Sequence, residues 1–147
     1  MRRRVTATVF ALLALAGCGG GGESRLSRSV YIAKANAICR DVAAKQEALT
    51  VPRSTGEIPA YAKKALPIFD GALARIRALR PPSKLDSRVQ AWLESIRASR
   101  KVVADLGKAA ARKDAASVET LGARAVSLGD EGRSLASDIG LTDCAKA

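Results

Sequence analysis

The sequence predicts an all-α protein, an antiparallel up-down-up-down bundle of four helices. Two observations carry this expectation. Across residues 30–140, apolar residues recur at steps of three and four in four successive stretches, the spacing that lines one face of a helix. The stretches are separated by short connections rich in proline, glycine or capping residues, and short connections force consecutive helices to lie side by side. The bundle is expected over residues 30–147, with residues 1–17 and 18–29 serving other purposes.

The first helix is expected from about Ser29 to Leu49, on the stripe Tyr31, Ala35, Ile38, Val42 and Leu49, interrupted at Lys45 or Gln46. Val51, Pro52, Arg53, Ser54, Thr55 and Gly56 then collect helix breakers and turn formers. The second helix is expected from about Glu57 to Leu79 on Ile58, Ala62, Ala65, Phe69, Ala72, Ile76 and Leu79. Pro67 falls inside it and predicts a kink or two shorter helices, because its ring removes a backbone hydrogen bond and crowds the preceding turn.

Arg80, Pro81, Pro82 and Ser83 make a rigid corner, since the residue before a proline is pushed out of helical geometry. Ser83 with Asp86 three residues on resembles a capping arrangement for the third helix, which is expected to run to about Arg112 on Leu85, Val89, Trp92, Ile96, Ser99, Val103, Leu106 and Ala110. Asp114 is placed to cap the fourth, on Val118, Leu121, Ala125, Leu128, Gly132, Leu135 and Ile139. Gly140 is a natural stop, with Leu141 able to pack back on the last turn. Tyr31, Tyr61, Phe69 and Trp92 are the aromatic residues of this region, so an alanine-rich, thin core is expected.

Ahead of the bundle, Arg2, Arg3 and Arg4 precede an apolar run from Val5 to Ala16, the charged and hydrophobic regions of an export signal. The run is short for spanning a bilayer. It ends in Leu15, Ala16, Gly17 and Cys18, small residues before a thiol, which read as a lipobox. Over residues 1–22 the chain resembles the bacterial lipoproteins. That resemblance implies cleavage between Gly17 and Cys18, lipidation of Cys18, and an extracytoplasmic location in which membrane lipid holds the protein through Cys18. It carries no information about activity. Residues 1–17 are then a cleaved signal peptide, and 18–29 a lipidated cysteine with a flexible tether. The tether opens with Gly19, Gly20, Gly21 and Gly22 and offers Leu26 as its one apolar side chain.

Removal of residues 1–17 leaves 130 of the 147 residues, enough for one domain. It also removes three arginines and no acid, so the formal charge falls from +11 to +8. Outside the cell, a basic surface meets anionic lipid headgroups, an anionic envelope polymer or an envelope protein rather than nucleic acid. A solvated, solubilising surface is the plainer reading of the same charge.

With Cys18 lipidated, Cys39 and Cys144 remain in a compartment where disulfides persist, and they are expected to pair. The bridge would tie the first helix to the end of the chain, and the few residues past the fourth helix, taken as extended, cover the ~15 Å needed. Two buried free thiols are the alternative. Metal binding by two thiolates without histidine leaves a tetrahedral site half empty.

The sequence contains no histidine, which excludes Ser-His-Asp and Cys-His nucleophile arrangements, His-based zinc sites and the Glu-x-x-His pairs of di-metal bundles. Its one methionine is Met1, so a haem bundle lacks ligands. No phosphate-binding glycine loop of the GxxxxGK[ST] kind is present. Glu119, Asp130 and Glu131 are acids on the fourth helix, but adjacent residues point about 100° apart and cannot both turn inward, so a solvated face is expected. No enzyme activity, cofactor or metal is expected.

Two constellations remain. Trp92 lies on the apolar stripe of the third helix, where core packing is the plain reading and lining a ligand cavity the sharper one. Ser99 and Gly132 occupy stripe positions where a larger apolar residue would fill space; they either let helices approach or leave a pocket. Arg75, Arg77, Arg80, Lys84 and Arg88, interrupted by Asp86, form the densest basic stretch and surround the second corner. Counting helices puts that corner at the tether's end of the bundle, facing the membrane and its anionic headgroups. The expected function is a non-catalytic binding or scaffolding module at the cell envelope, with a carrier of a small apolar ligand as the alternative.

Overall fold

The computed structural model describes residues 24–146. The expected signal peptide, Gly17, Cys18 and the glycine run lie outside the described residues. Among the described residues there are four helices and no strand: α1 Arg28–Glu47, α2 Ile58–Ala78, α3 Asp86–Ala111 and α4 Ala115–Ile139. Single 3-10 turns, Thr55–Glu57 and Ser83–Leu85, lead into α2 and α3. No described helix is long and apolar enough to cross a membrane.

Each helix end has a local cause. The Ser27 hydroxyl accepts the Val30 N–H at 3.4 Å and starts α1 at Arg28, inside the stretch expected to be tether. Residues before it are held too, because the Leu26 N–H donates to the Arg80 carbonyl at 2.9 Å. Pro59 occupies the first turn of α2, where its missing donor costs nothing. Pro67 does not split α2, which is continuous through it. Both Pro67 and Lys63, whose carbonyl loses its bond, are exposed, so water can satisfy the freed acceptor.

The expected Ser83 cap is not formed. Ser83 instead opens the 3-10 turn and makes no capping side-chain bond, while Asp86 stands in the first turn of α3 and pairs with Arg25. Asp114 caps α4 through Ser117, accepting from its N–H at 3.1 Å and from its hydroxyl at 2.6 Å, and these bonds hold its carboxyl below the usual range. At the other end Gly140 adopts φ 94°, the left-handed region that favours glycine, and Leu141 donates back to the Ala136 carbonyl at 2.9 Å. Leu141 is fully buried as a result.

The packing is uneven. α3 lies along both α2 and α4, α1 packs more sparsely on α2, and α1 and α4 have no comparable seam. Arg100 grips Asp70 of α2 through Nε and Nη2 at 2.7 and 3.0 Å, lowering the carboxyl's pKa by hydrogen bonding first and by charge second. Arg75 of α2 and Asp41 of α1 form an ion pair. Gly107 brings α3 against α2: a Cβ there would stand 2.8 Å from the Ala62 Cβ.

The fully buried large side chains are Tyr31, Ile76, Val89, Leu93, Ile139 and Leu141, all from the half of the molecule that carries the start of α1 and the Pro81–Pro82 corner. In the other half the buried residues are Ala62, Ala65, Val102, Gly107, Ala109, Ala110 and Leu128, while Tyr61, Phe69, Val103, Leu106 and Leu121 stay half-exposed. The alanine-rich core expected throughout is thus confined to this second half.

Cys39 and Cys144 form a disulfide across 105 residues of chain. The residues past α4 reach Cys39 as a turn rather than as the extended segment expected, with the Ala145 N–H bonded to the Leu141 carbonyl at 2.9 Å. Around the bridge, Asn36 accepts the Asp143 N–H at 3.0 Å and Arg40 pairs with the Asp143 carboxylate at 2.5 Å.

Candidate functional site

A cleft of about 460 Å³ runs through the middle of the molecule toward the alanine-rich half. Its wall follows from helical spacing. Cys39, Val42 and Gln46 share one face of α1, Trp92, Ser95, Ile96, Ser99 and Val103 one face of α3, and Ala125, Leu128, Gly129 and Gly132 one face of α4. Tyr61 and Phe69 of α2 complete it. The cleft lies where α1 and α4 lack a packed seam, so its opening is a consequence of the uneven packing.

The wall makes few polar demands. The Ser95 hydroxyl donates to the Trp92 carbonyl at 2.8 Å and the Ser99 hydroxyl to the Ser95 carbonyl at 3.0 Å, so each is satisfied by its own helix. Gly132 leaves room beside Ser95, whose Oγ would stand 3.4 Å from a Cβ placed there. Arg133 is the one charged residue on the wall, and its guanidinium is paired with Asp130 at 2.5 Å. A volume in the range of small-molecule pockets with an aromatic and aliphatic lining is suited to an apolar guest held by shape and dispersion.

The residues singled out by sequence fall into two places. Trp92, Ser99 and Gly132 lie together on the wall of this cleft. Trp92 is at the same time 4% exposed and part of the core, so its two readings are two faces of one ring. Tyr61, Phe69, Val42 and Gly129 complete the wall and were not singled out as site residues; Gly129 beside Gly132 was the available signal. The disulfide residues Cys39 and Cys144 also border the cleft, which no spacing rule reveals.

The basic stretch divides. Arg75 points at Asp41 on α1 and is taken up in an ion pair. Arg77, Arg80, Lys84 and Arg88 are exposed around the corner. Arg25 joins them, donating to the Pro81 carbonyl at 3.0 Å and pairing with Asp86 at 3.2 Å. Arg25, Arg77, Arg80 and Asp86 border a second cavity of about 300 Å³. Asp130 and Glu131 are exposed on α4, and among the described residues no group of three or more His, Cys, Asp or Glu is placed to hold a metal ion.

Comparison with known proteins adds no relative: no family model, no curated protein and no solved structure matches this chain.

Proposed function

We propose that this chain is an extracytoplasmic lipoprotein, anchored through Cys18, whose helical bundle holds a small apolar molecule in the cleft without acting on it chemically. The anchoring part of this reading is supported by the lipobox-like Leu15, Ala16, Gly17 and Cys18. An antiparallel up-down-up-down order of the helices is supported by opposed registers. Leu26 meets Arg80 while Asp41 meets Arg75, Ala62 approaches Gly107 while Asp70 meets Arg100, and Ser95 approaches Gly132 while Ala109 meets Asp114.

The observation that carries the carrier reading is the cleft itself, with Trp92, Phe69 and Tyr61 on its wall, serine hydroxyls turned back on their own helix and glycine where bulk would close it. A wall without a catalytic acid, base or nucleophile in need of a partner fits holding rather than conversion.

Native mass spectrometry on protein gently extracted from its own membranes tests the reading. The expected result is the lipidated, disulfide-closed chain plus dissociable mass in the hundreds of daltons, with Gly132→Leu losing that mass. A bare lipoprotein mass, together with no change in Trp92 fluorescence on titration with the apolar dye 1-aminoanthracene, overturns it. The binding or scaffolding role toward an envelope protein or anionic polymer is then what remains, and cross-linking in the envelope follows.

A further inference from the structure

The approach to the bundle is strapped down. Leu26 and Arg25 are bonded to the carbonyls of Arg80 and Pro81, and Arg25 also reaches Asp86, so the chain enters α1 across the α2–α3 corner. The tether therefore leaves the structure at this corner.

Cations outnumber acids there among the described residues. Arg28, Arg77, Lys84 and Arg88 are exposed and form no ion pair with any described residue; Lys34, Lys63, Lys64 and Arg124 elsewhere are likewise exposed and unpaired, but at this end such cations gather around one corner. Among the described residues the acids at this end are Asp86, engaged by Arg25, and Asp138, which borders a groove with Arg88 but lies beyond ion-pair distance of it. Into the same end opens the 300 Å³ cavity bordered by Arg25, Arg77, Arg80 and Asp86; of these Arg77 is unpaired, and a planar guanidinium fork matches phosphate oxygens.

We infer that the α2–α3 corner is a docking face for anionic phospholipid headgroups, which seats the bundle end-on against the bilayer. The inference rests on the reading that Cys18 is lipidated. Six residue steps separate Cys18 from Ser24, the first described residue, and six steps reach no further than about 22 Å. A tether free up to residue 28 would reach about 36 Å by the same measure. The strap thus shortens the leash and keeps the cationic corner within two or three screening lengths of the surface, each ~8 Å at physiological salt. Tethering at that range makes binding by the corner an intramolecular event at high effective concentration. Anionic headgroups then supply the carboxylate-like partners that the protein withholds from Arg28, Arg77, Lys84 and Arg88.

Hydrogen exchange read by mass spectrometry decides this on the full chain reconstituted in nanodiscs of phosphatidylcholine, with or without phosphatidylglycerol. The expected result is severalfold slower exchange at the amides of Ser83–Arg88 in the phosphatidylglycerol discs alone, reversed by high salt and by combined Arg77→Gln, Lys84→Gln and Arg88→Gln. These three side chains are exposed, and an unchanged thermal transition of the triple variant serves as the control on folding. Equal exchange in both discs, or protection that survives salt and substitution, overturns the inference. Intact mass of the same sample reads the lipid on Cys18 separately. If that lipid is missing the anchoring reading falls by itself. Co-sedimentation of the chain with phosphatidylglycerol vesicles then upholds the docking face, and absence of co-sedimentation overturns it. Competition by inorganic phosphate alone would reassign the corner to a free anion and likewise overturn bilayer docking.

Discussion

The two halves of this molecule are built on different terms. Near the start of α1, Tyr31, Ile76, Val89, Leu93, Ile139 and Leu141 are excluded from solvent and a disulfide closes the α1–α4 side, where the helices lack a packed seam. Beyond Cys39 the same four helices continue, but apart from Leu128 the buried residues shrink to alanine, valine and glycine, and the aromatic rings of Tyr61 and Phe69 remain half-exposed beside a cleft. Burial of apolar area contributes about 25 cal/mol per Å², so large closed side chains stabilise the first half far more than alanine can stabilise the second. The difference teaches that the candidate binding site opens where the core thins: Trp92 and the Cys39–Cys144 bridge belong to both, and beyond them the second half is spared the need to be full.

The largest expected effect comes from removing the bridge that supports the first half. Cys39→Ala with Cys144→Ala should lower the unfolding free energy by about 4.7 kcal/mol on the chain-entropy treatment of a loop of this size. Denaturant unfolding of the double variant against the oxidised protein measures it. A loss under about 1 kcal/mol would mean that the packed half closes α1 onto the tail without covalent help.

Side-chain truncation compares the halves directly. Leu93→Ala should cost about 3 kcal/mol, the usual range for a sealed leucine, whereas Phe69→Ala should cost about 1 kcal/mol because its ring is already partly in water. Equal losses in urea titrations would show the halves to be equally packed.

Tyr31 offers a pH-dependent comparison. Its hydroxyl is buried without a hydrogen-bond partner, and burial, with a smaller push from Asp86, raises its pKa to about 12. The unfolded phenol ionises near pH 10 while the folded one stays neutral, so its stabilising share is complete below pH 10 and is lost as pH rises toward 12. The slope expected from this group alone is about 1.4 kcal/mol per pH unit within that window. Tyr31→Phe should remove the slope and, by deleting an unpartnered hydroxyl, add about 1 kcal/mol at neutral pH. Unfolding curves of both proteins from pH 8 to 12 read out the two effects together.

The smallest effects lie within the second half and have opposite signs. At Gly122 a Cβ meets nothing within 4 Å, so Gly122→Ala should raise stability by about 0.5–1 kcal/mol through helix propensity. At Gly107 a Cβ would meet the Ala62 Cβ at 2.8 Å, so Gly107→Ala should lower the melting temperature despite the same propensity gain. If both raise it, α2 and α3 are not held at close approach.

The helices were legible because their causes are local. The stripes on α2, α3 and α4, the Asp114 cap and the Gly140 stop each follow from a few neighbouring residues. Pro67 leaves α2 undivided because the carbonyl it deprives of a bond faces water, and that is set by tertiary placement. The Ser83 cap failed because a 3-10 turn, favoured after Pro81 and Pro82, uses the same residues differently. Part of the cleft wall was legible at Trp92, Ser99 and Gly132, since serine and glycine on an apolar stripe leave a gap in volume. Its other side on α1 and α2 was not, because the missing α1–α4 seam arises from how whole helices pack. The strap at Arg25 and Leu26 was hidden in a stretch whose composition reads as free chain, and only its partners on the corner reveal it.

The covalent link between Cys39 and Cys144 also sets how the protein answers a mechanical load. Tension applied between the chain ahead of residue 24 and anything attached beyond Cys144 travels along residues 24–39, crosses the bridge and leaves again at once. The backbone of residues 40–143 is short-circuited by it. A pull along this axis can peel the strap and unwind the start of α1, but it cannot draw out α2, α3 or α4, so the cleft keeps its walls under a force that would otherwise unravel the whole chain.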